Sequence, residues 1–184
     1  MPFAVVGQKF SDWQYIRPPS NIDVNPVFNW RTQKEVAKAG YFEDIASHGL
    51  DMMCFFLGNI KQAQGVASNP QGLYTAYDAL AASMLFENGV TGNGHWNFAA
   101  SSTADKVLII GERGQISFSI FEDSPAVLTM ADKCISQAMP KPTPIQGDFV
   151  QAMADNLRDK PVDPSMAESG AHTNWVMDAK LKDF

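Results

Sequence analysis

Gly40-Tyr41-Phe42-Glu43-Asp44-Ile45-Ala46-Ser47-His48-Gly49-Leu50-Asp51-Met52-Met53-Cys54-Phe55-Phe56-Leu57-Gly58 is the stretch around which this chain is organised. It reads as one helix over residues 43–57, stopped by Gly58 in the left-handed conformation. Glu43 and Asp44 stand in the first turn, where carboxylates suit the positive end of the helix dipole. At about 100° per residue, Ile45, Met52, Met53 and Phe56 share an apolar stripe. Asp44, His48 and Asp51 share another, at i, i+4 and i+7. Almost everything else in the helix is apolar or small, which predicts burial. Buried unpaired charge is costly, so the polar line needs a reason. One reason is local pairing, with Asp44 holding His48 and Asp51 capping nearby backbone. The other is chemistry: His48 as an acid/base group that Asp44 tunes.

Length and composition bound the rest. The 184 residues suffice for one domain, and 45% hydrophobic content supports a real core. A net charge of −6 and a pI near 4.9 argue against a nucleic-acid partner. Cys54 and Cys134 are the only cysteines, and one lies inside the apolar helix, so a reducing compartment is expected rather than a disulfide framework. No apolar run reaches the roughly 18 residues of a membrane span, and the amino terminus lacks the parts of a signal peptide. A cytoplasmic protein follows as the default expectation.

Alternation places strands on both sides of the helix. Residues 8–17 read as the first, with Phe10, Trp13, Tyr15 and Ile16, stopped by Pro18-Pro19. Residues 18–40 read as a loop anchored by Pro26, Phe28 and Trp30. Trp30-Arg31 pairs an aromatic platform with a guanidinium, which suits a sugar ring or a phosphate; a pinned arm is the other reading, and fits Trp30 better than Arg31. Further strands are expected at 60–67, 78–87, 90–100, 106–110 and 115–121. Leu80, Ala82, Met84 and Phe86 share one face, as do Trp96 and Phe98, and Ile116, Phe118 and Ile120. Asn88-Gly89 signals a two-residue hairpin. Pro140, Pro142 and Pro144 link to two helices, at 145–158 and 165–182.

This order predicts an α+β fold: an open, mostly antiparallel or mixed sheet with helices on one face. The other face, carrying His95, Asn97, Ser117 and Ser119, then needs cover from solvent or a second subunit. No metal site is expected, because His48, His95 and His172 are scattered and neither cysteine has a partner at ligand spacing. Gly92-Asn93-Gly94 falls within a hairpin strand, not between strand and helix, so it does not read as a dinucleotide loop.

The motifs together resemble a known family. Trp30-Arg31 followed by residues 39–51 is similar to the GGxxxDxxxHxxD signature of the Gfo/Idh/MocA oxidoreductases, which include glucose–fructose oxidoreductase and inositol dehydrogenase. Phe86-Glu87-Asn88-Gly89-Val90 resembles the family's F-x-N-G-V hairpin, and Ile110-Gly111-Glu112-Arg113-Gly114 its I-x-G-x-x-G turn. Residues 165–178, with Glu168-Ser169 and Thr173-Asn174-Trp175-Val176-Met177-Asp178, resemble the closing helix of one subgroup. Ala39 stands where the signature prefers Gly, which negative φ would tolerate.

The resemblance implies a C-terminal α+β domain, residues 1–184, of a parent that binds NAD or NADP through an N-terminal Rossmann domain absent from this sequence. It implies His48 as proton acceptor from the hydroxyl being oxidised, and Asp44 as its orienter or a substrate contact. Arg31, Trp30, Tyr41 and Asp51 are the further substrate-binding candidates. The substrate would be a sugar, a polyol or a related compound, and the open sheet face would join subunits into a homo-oligomer. The family's E-K-P lysine has no counterpart; Lys9, Lys34 and Lys38 lie in the wrong context. Without a strand–glycine loop–helix unit, this chain by itself is expected to bind neither NAD nor NADP. Two other readings remain: a non-catalytic binding or assembly module, and a hydrolase, since some relatives use bound NAD to cleave glycosides.

Overall fold

The alternating segments pair into one sheet. The computed structural model describes residues 8–18, 29–161 and 167–180. Its elements run β1 (Gln8–Ile16), α1 (Tyr41–Leu57), β2 (Ile60–Ser68), β3 (Ala79–Phe86), β4 (Thr91–Asn97), β5 (Ala104–Gly111), β6 (Gly114–Phe118), β7 (Ala126–Met130), β8 (Cys134–Gln137), α2 (Gly147–Asn156) and α3 (Ala167–Lys180). The strand order is β2-β3-β4-β1-β5-β6-β7-β8. β1 runs parallel to β4 and antiparallel to β5, so the first strand enters the middle of a meander. All the other neighbours are antiparallel. This is the expected open mixed sheet of an α+β fold.

One face of the sheet carries the core. Trp13 and Tyr15 from β1, Leu80, Ala82, Met84 and Phe86 from β3, Trp96 from β4, and Val107 and Ile109 from β5 are buried there. α1 lies across them with Phe42, Ala46, Leu50, Met53 and Leu57 turned inward. Burying each large apolar side chain contributes about 1.5–3 kcal/mol. α3 packs against β2 and α1 through Val176 and Met177, and His172 Nε2 accepts the N–H of Ile60 at 3.1 Å.

The ends of α1 are fastened by side chains. Glu43 Oε1 accepts the N–H of Ala39, the residue before the N-cap Gly40, at 3.0 Å. Asn88 Nδ2 donates to the carbonyl of Leu57 at 2.7 Å, so the β3–β4 hairpin satisfies a helix-end carbonyl. Gly40 enters the helix at φ 57°, and a Cβ there would lie 2.7 Å from the carbonyl oxygen of Arg31. Ala39, before it, does not have positive φ, as the substitution requires.

Several details differ from the sequence expectation. α1 starts at Tyr41, two residues early. Its buried stripe runs through Phe42, Ala46 and Leu50, whereas Ile45 and Met52 are half-buried and Phe56 is exposed. The cause is Gly49 and Ala46, whose small side chains let the helix approach the sheet on that side. Gly58 has the expected positive φ of 84°, but its ψ of 179° leaves it outside the left-handed helical region. Between β3 and β4, the Phe86–Val90 pair closes a loop of three residues rather than two: Phe86 N donates to Val90 O, and Gly89 N to Phe86 O. Asn88 is drawn into this longer loop because its amide also serves α1. β7 and β8 were not anticipated, and β6 ends at Phe118 rather than at residue 121. α2 forms with none of its residues buried, so among the described helices the sheet is covered by α1 and α3. The expected anchors Pro26 and Phe28, the stop at Pro19, and residues 165, 166, 181 and 182 of the closing helix lie outside the described residues.

α1 comes so close to the sheet at Gly49 that a Cβ there would collide with three ring atoms of Trp13. Gly49→Ala therefore gains up to about 1 kcal/mol of helix propensity but loses more, about 1–3 kcal/mol or above, through overpacking of a rigid buried indole. Chemical denaturation should show net destabilisation. Gly170→Ala in α3, where a Cβ meets nothing, should show a small gain instead.

Candidate active site

The polar line of α1 meets the short turn that precedes it. A 3-10 turn, Trp30–Thr32, is capped by Asn29, whose Oδ1 accepts the N–H of Arg31 at 3.1 Å. Thr32 is buried; its hydroxyl donates to the carbonyl of Asn29 at 2.8 Å, and its own carbonyl accepts from Thr75 and Ala76. Asn29 Nδ2 also donates to the hydroxyl of Tyr41. Tyr41 is thus buried beneath the turn and steadies it.

From this platform Arg31 reaches across to α1. Its Nε lies 2.7 Å from Asp44 Oδ2, and both side chains are about one-third exposed, at 30% and 35%. The guanidinium carbon sits 4.5 Å from the centre of the Trp30 ring, so Arg31 is held both by a carboxylate and by an aromatic face. A charge-assisted bond of this kind is short and directional. The pair is neutral as a unit and presents donors and an acceptor beside an exposed indole.

His48 lies one turn beyond Asp44 on the same side of α1 and is exposed. Its described contact is with Phe121, ring centres 5.9 Å apart and planes at 82°. Asp44 therefore spends an oxygen on Arg31 and also accepts Ser47 Oγ at its carbonyl, 2.8 Å away. Asp51 follows on the next turn, half-buried. Trp30, Arg31 and Asp44 thus meet at the start of α1, with Tyr41 beneath the turn, and His48 follows one helical turn further along the same side.

Two features were not found from sequence. Phe121 forms the wall against His48, and its ring packs edge-on with Tyr15 at 5.4 Å. Tyr15 in turn touches Phe98 at 5.9 Å, and Phe98 touches Tyr41 at 5.6 Å. A belt of aromatic rings thus links the wall to the Trp30 turn. The second feature is Asp78, fully buried with neither carboxylate oxygen in a hydrogen bond. Burial pushes its carboxyl up to about 6. The neighbouring Tyr74 hydroxyl is pushed up as well, first by burial and then by the nearby Asp78. Only the run of apolar residues around Asp78 could have marked it.

Among the described residues no group of three His, Cys, Asp or Glu side chains is placed to hold a metal ion. The helices do not fit a dinucleotide either. Glu43 and Asp44 fill the first turn of α1, Asp148 that of α2 and Glu168 that of α3, so each described helix start would repel a pyrophosphate. Gly92 and Gly94 lie in β4, where they make room for Ser11 and the ring of Trp96. No described helix is long and apolar enough to cross a membrane.

This fold has relatives. Residues 11–117 match the GFO/IDH/MocA C-terminal domain, and the chain belongs to that family of oxidoreductases. Oxidoreductase P35 of Formosa agariphila is 31% identical over 160 residues, which cover 86% of this chain and 49% of the relative. An oxidoreductase from Thermotoga maritima superposes with a TM-score of 0.75 at 23% identity, over 96% of this chain and 52% of that one. Levoglucosan dehydrogenase in complex with NADH and levoglucosan gives 0.72 at 19% identity, over 98% and 58%. The chain spans about half the length of the proteins it matches.

Asp78 makes stability depend on pH with an unusual sign. Its folded value lies above the ordinary 3.8, so the folded state holds the proton more tightly than the unfolded chain. This group's contribution is complete below about pH 4 and is lost as pH rises through about 6. Urea denaturation from pH 4 to 7 should show Asp78→Asn gaining stability relative to the native chain as pH rises. A constant difference would contradict the burial of a titrating carboxyl.

Proposed function

We propose that this chain is the substrate-binding and oligomerisation half of an NAD(P)-dependent oxidoreductase that acts on a hydroxyl of a sugar, a polyol or a related compound, with His48 as the acid/base. The observation that carries this is the Arg31–Asp44 pair beside the Trp30 ring at the start of α1, with exposed His48 one turn further along the same side, in a chain of this family. The ring of Trp30 offers an apolar plane for the C–H face of a pyranose or cyclitol. Arg31 donates to its hydroxyl oxygens and Asp44 accepts from its hydroxyl protons. A neutral imidazole at His48 takes the proton from the hydroxyl that becomes a carbonyl. Asp51 has the weaker assignment, to structure or to an outer part of the substrate.

The hydride is not handled by this chain. The acidic first turns of the described helices suit a pyrophosphate poorly, so the redox half of the reaction is assigned to a separate nucleotide-binding domain of the parent. The complex of levoglucosan dehydrogenase with NADH and levoglucosan supports that division, because this chain's fold accounts for about half of that protein. A location in the cytoplasm belongs to the same proposal.

The uncovered sheet face is assigned to assembly. Val66, Ala79, Ala81, His95 and Asn97 line a groove of about 500 Å³ there, with Gln14 and Ile16 from the central strand. Apolar and amide groups mixed over an open sheet face suit a second copy of the same face. Light scattering at tens of micromolar, an ordinary working range for such interfaces, should return a dimer or larger. A monomer would remove the assignment.

The catalytic assignment is tested in the full-length parent. His48→Asn should fold normally and lower kcat by about 10²-fold or more, the usual scale for loss of a general base. Asp44→Asn should reduce turnover more than binding. Wild-type turnover of His48→Asn between pH 6 and 9 would leave the domain as a non-catalytic binding or assembly module.

A further inference from the structure

His48 needs a fixed ring plane to accept a proton from one direction, yet Asp44 is engaged by Arg31. The structure assigns the positioning of His48 to Phe121, and the positioning of Phe121 to Asp105. This inference rests on the proposed role of His48. Phe121 stands just beyond β6, in a loop that no regular ladder holds. Asp105, on β5 and 7% exposed, holds it instead. Asp105 Oδ2 accepts the N–H of Phe121 at 2.5 Å and that of Glu122 at 3.1 Å. Its own carbonyl accepts Ser119 Oγ at 2.6 Å, and Ser119 Oγ accepts from Ser124 Oγ at 2.8 Å. Lys141 Nζ donates to the carbonyl of Phe121 from the other side. The backbone of Phe121 is therefore bound at both its N–H and its C=O.

The ring of Phe121 is fixed as firmly. It stands at 73° to Tyr15 and at 82° to His48, so it is wedged between a buried strand residue and the exposed imidazole. Edge-to-face aromatic pairs carry a directional preference of about 0.5–1.5 kcal/mol, enough to favour one imidazole orientation over its alternatives. A carboxylate that accepts two successive N–H groups is a rigid clamp for a loop. Asp105 thus acts on His48 at a distance, through one backbone bond and one ring. Both residues are assigned as positioning residues, because each acts through its neighbour rather than on the hydroxyl proton itself.

The test uses the 184-residue chain and ¹³C-edited NMR of its three histidines, with His48 assigned through His48→Gln. Native protein should show nuclear Overhauser contacts between the His48 and Phe121 rings. Phe121→Leu should abolish the ring-current displacement of the His48 signals and leave His95 and His172 where they were, whereas Phe121→Tyr should retain it. Asp105→Ala should move the His48 signals in the same direction as Phe121→Leu, and Asp105→Asn, which keeps one acceptor oxygen, should restore most of the native position. Where Asp105→Ala does not fold, the Phe121 variants and Asp105→Asn decide alone. Unchanged His48 signals in folded Phe121→Leu would overturn the inference. That result would leave the acid/base role of His48 untouched, because that role stands or falls on turnover in the parent.

Discussion

The seat of α1 on the paired indoles of Trp13 and Trp96 is the contact on which the rest depends. The two rings meet edge to face at 5.1 Å, and Phe42 closes on Trp96 at 4.9 Å. Gly49 removes the one side chain that would hold the helix away from Trp13, and Gly94 makes the equivalent space for Trp96. Because the backbone is so close, the helix has little freedom to slide or roll. Its rotation sets which residues face the core and therefore which face outward. Asp44 and His48 are turned to one side because Phe42, Ala46 and Leu50 are turned to the other.

The same rotation decides how the polar residues pair. On an isolated helix, Asp44 and His48 at i and i+4 are natural partners. In the folded chain, the turn at Trp30 delivers a guanidinium to Asp44. Arginine is permanently charged and presents its donors in a fixed fork, so it outcompetes a neutral imidazole for a carboxylate. The capping of that turn by Asn29, and the tie from Asn29 to Tyr41, make the arrival of Arg31 a property of the fold rather than of a loose arm. His48 is left to the aromatic belt that runs through Phe121, Tyr15 and Phe98.

The two ends of the sheet are unlike. β1 to β5 are covered by α1 and α3 and hold the fully buried residues. β8 is exposed throughout, and α2 shows Phe149, Val150 and Met153 to solvent, as does Leu157 at its C-cap. The amphipathic pattern in residues 145–158 is real, yet it has no complementary face among the described residues. Periodicity forms a helix; it does not supply the surface that would bury it.

The sequence by itself determined the strands and helices whose period is clear. Leu80 to Phe86 alternates, Gly92, Gly94 and Trp96 share the buried face of β4, and residues 43–57 repeat at helical spacing, so local chemistry was sufficient there, although β4 stops at Asn97 and leaves Phe98 beyond it. It also determined the family, because Asp44, His48 and the Asn88-Gly89 hairpin sit at fixed intervals along the chain. Tertiary structure alone decided the rest. β7 and β8 are short and marked by weak patterns, and they become strands through pairing with β6. β1 enters between β4 and β5, a neighbour choice that no local pattern encodes. The partner of Asp44 and the wall at Phe121 bring together residues 13 to 73 positions apart, and the fold buries the Asp78 carboxyl beside the Tyr74 hydroxyl. Spacing along one helix cannot reveal such contacts, because they depend on how the chain returns to itself.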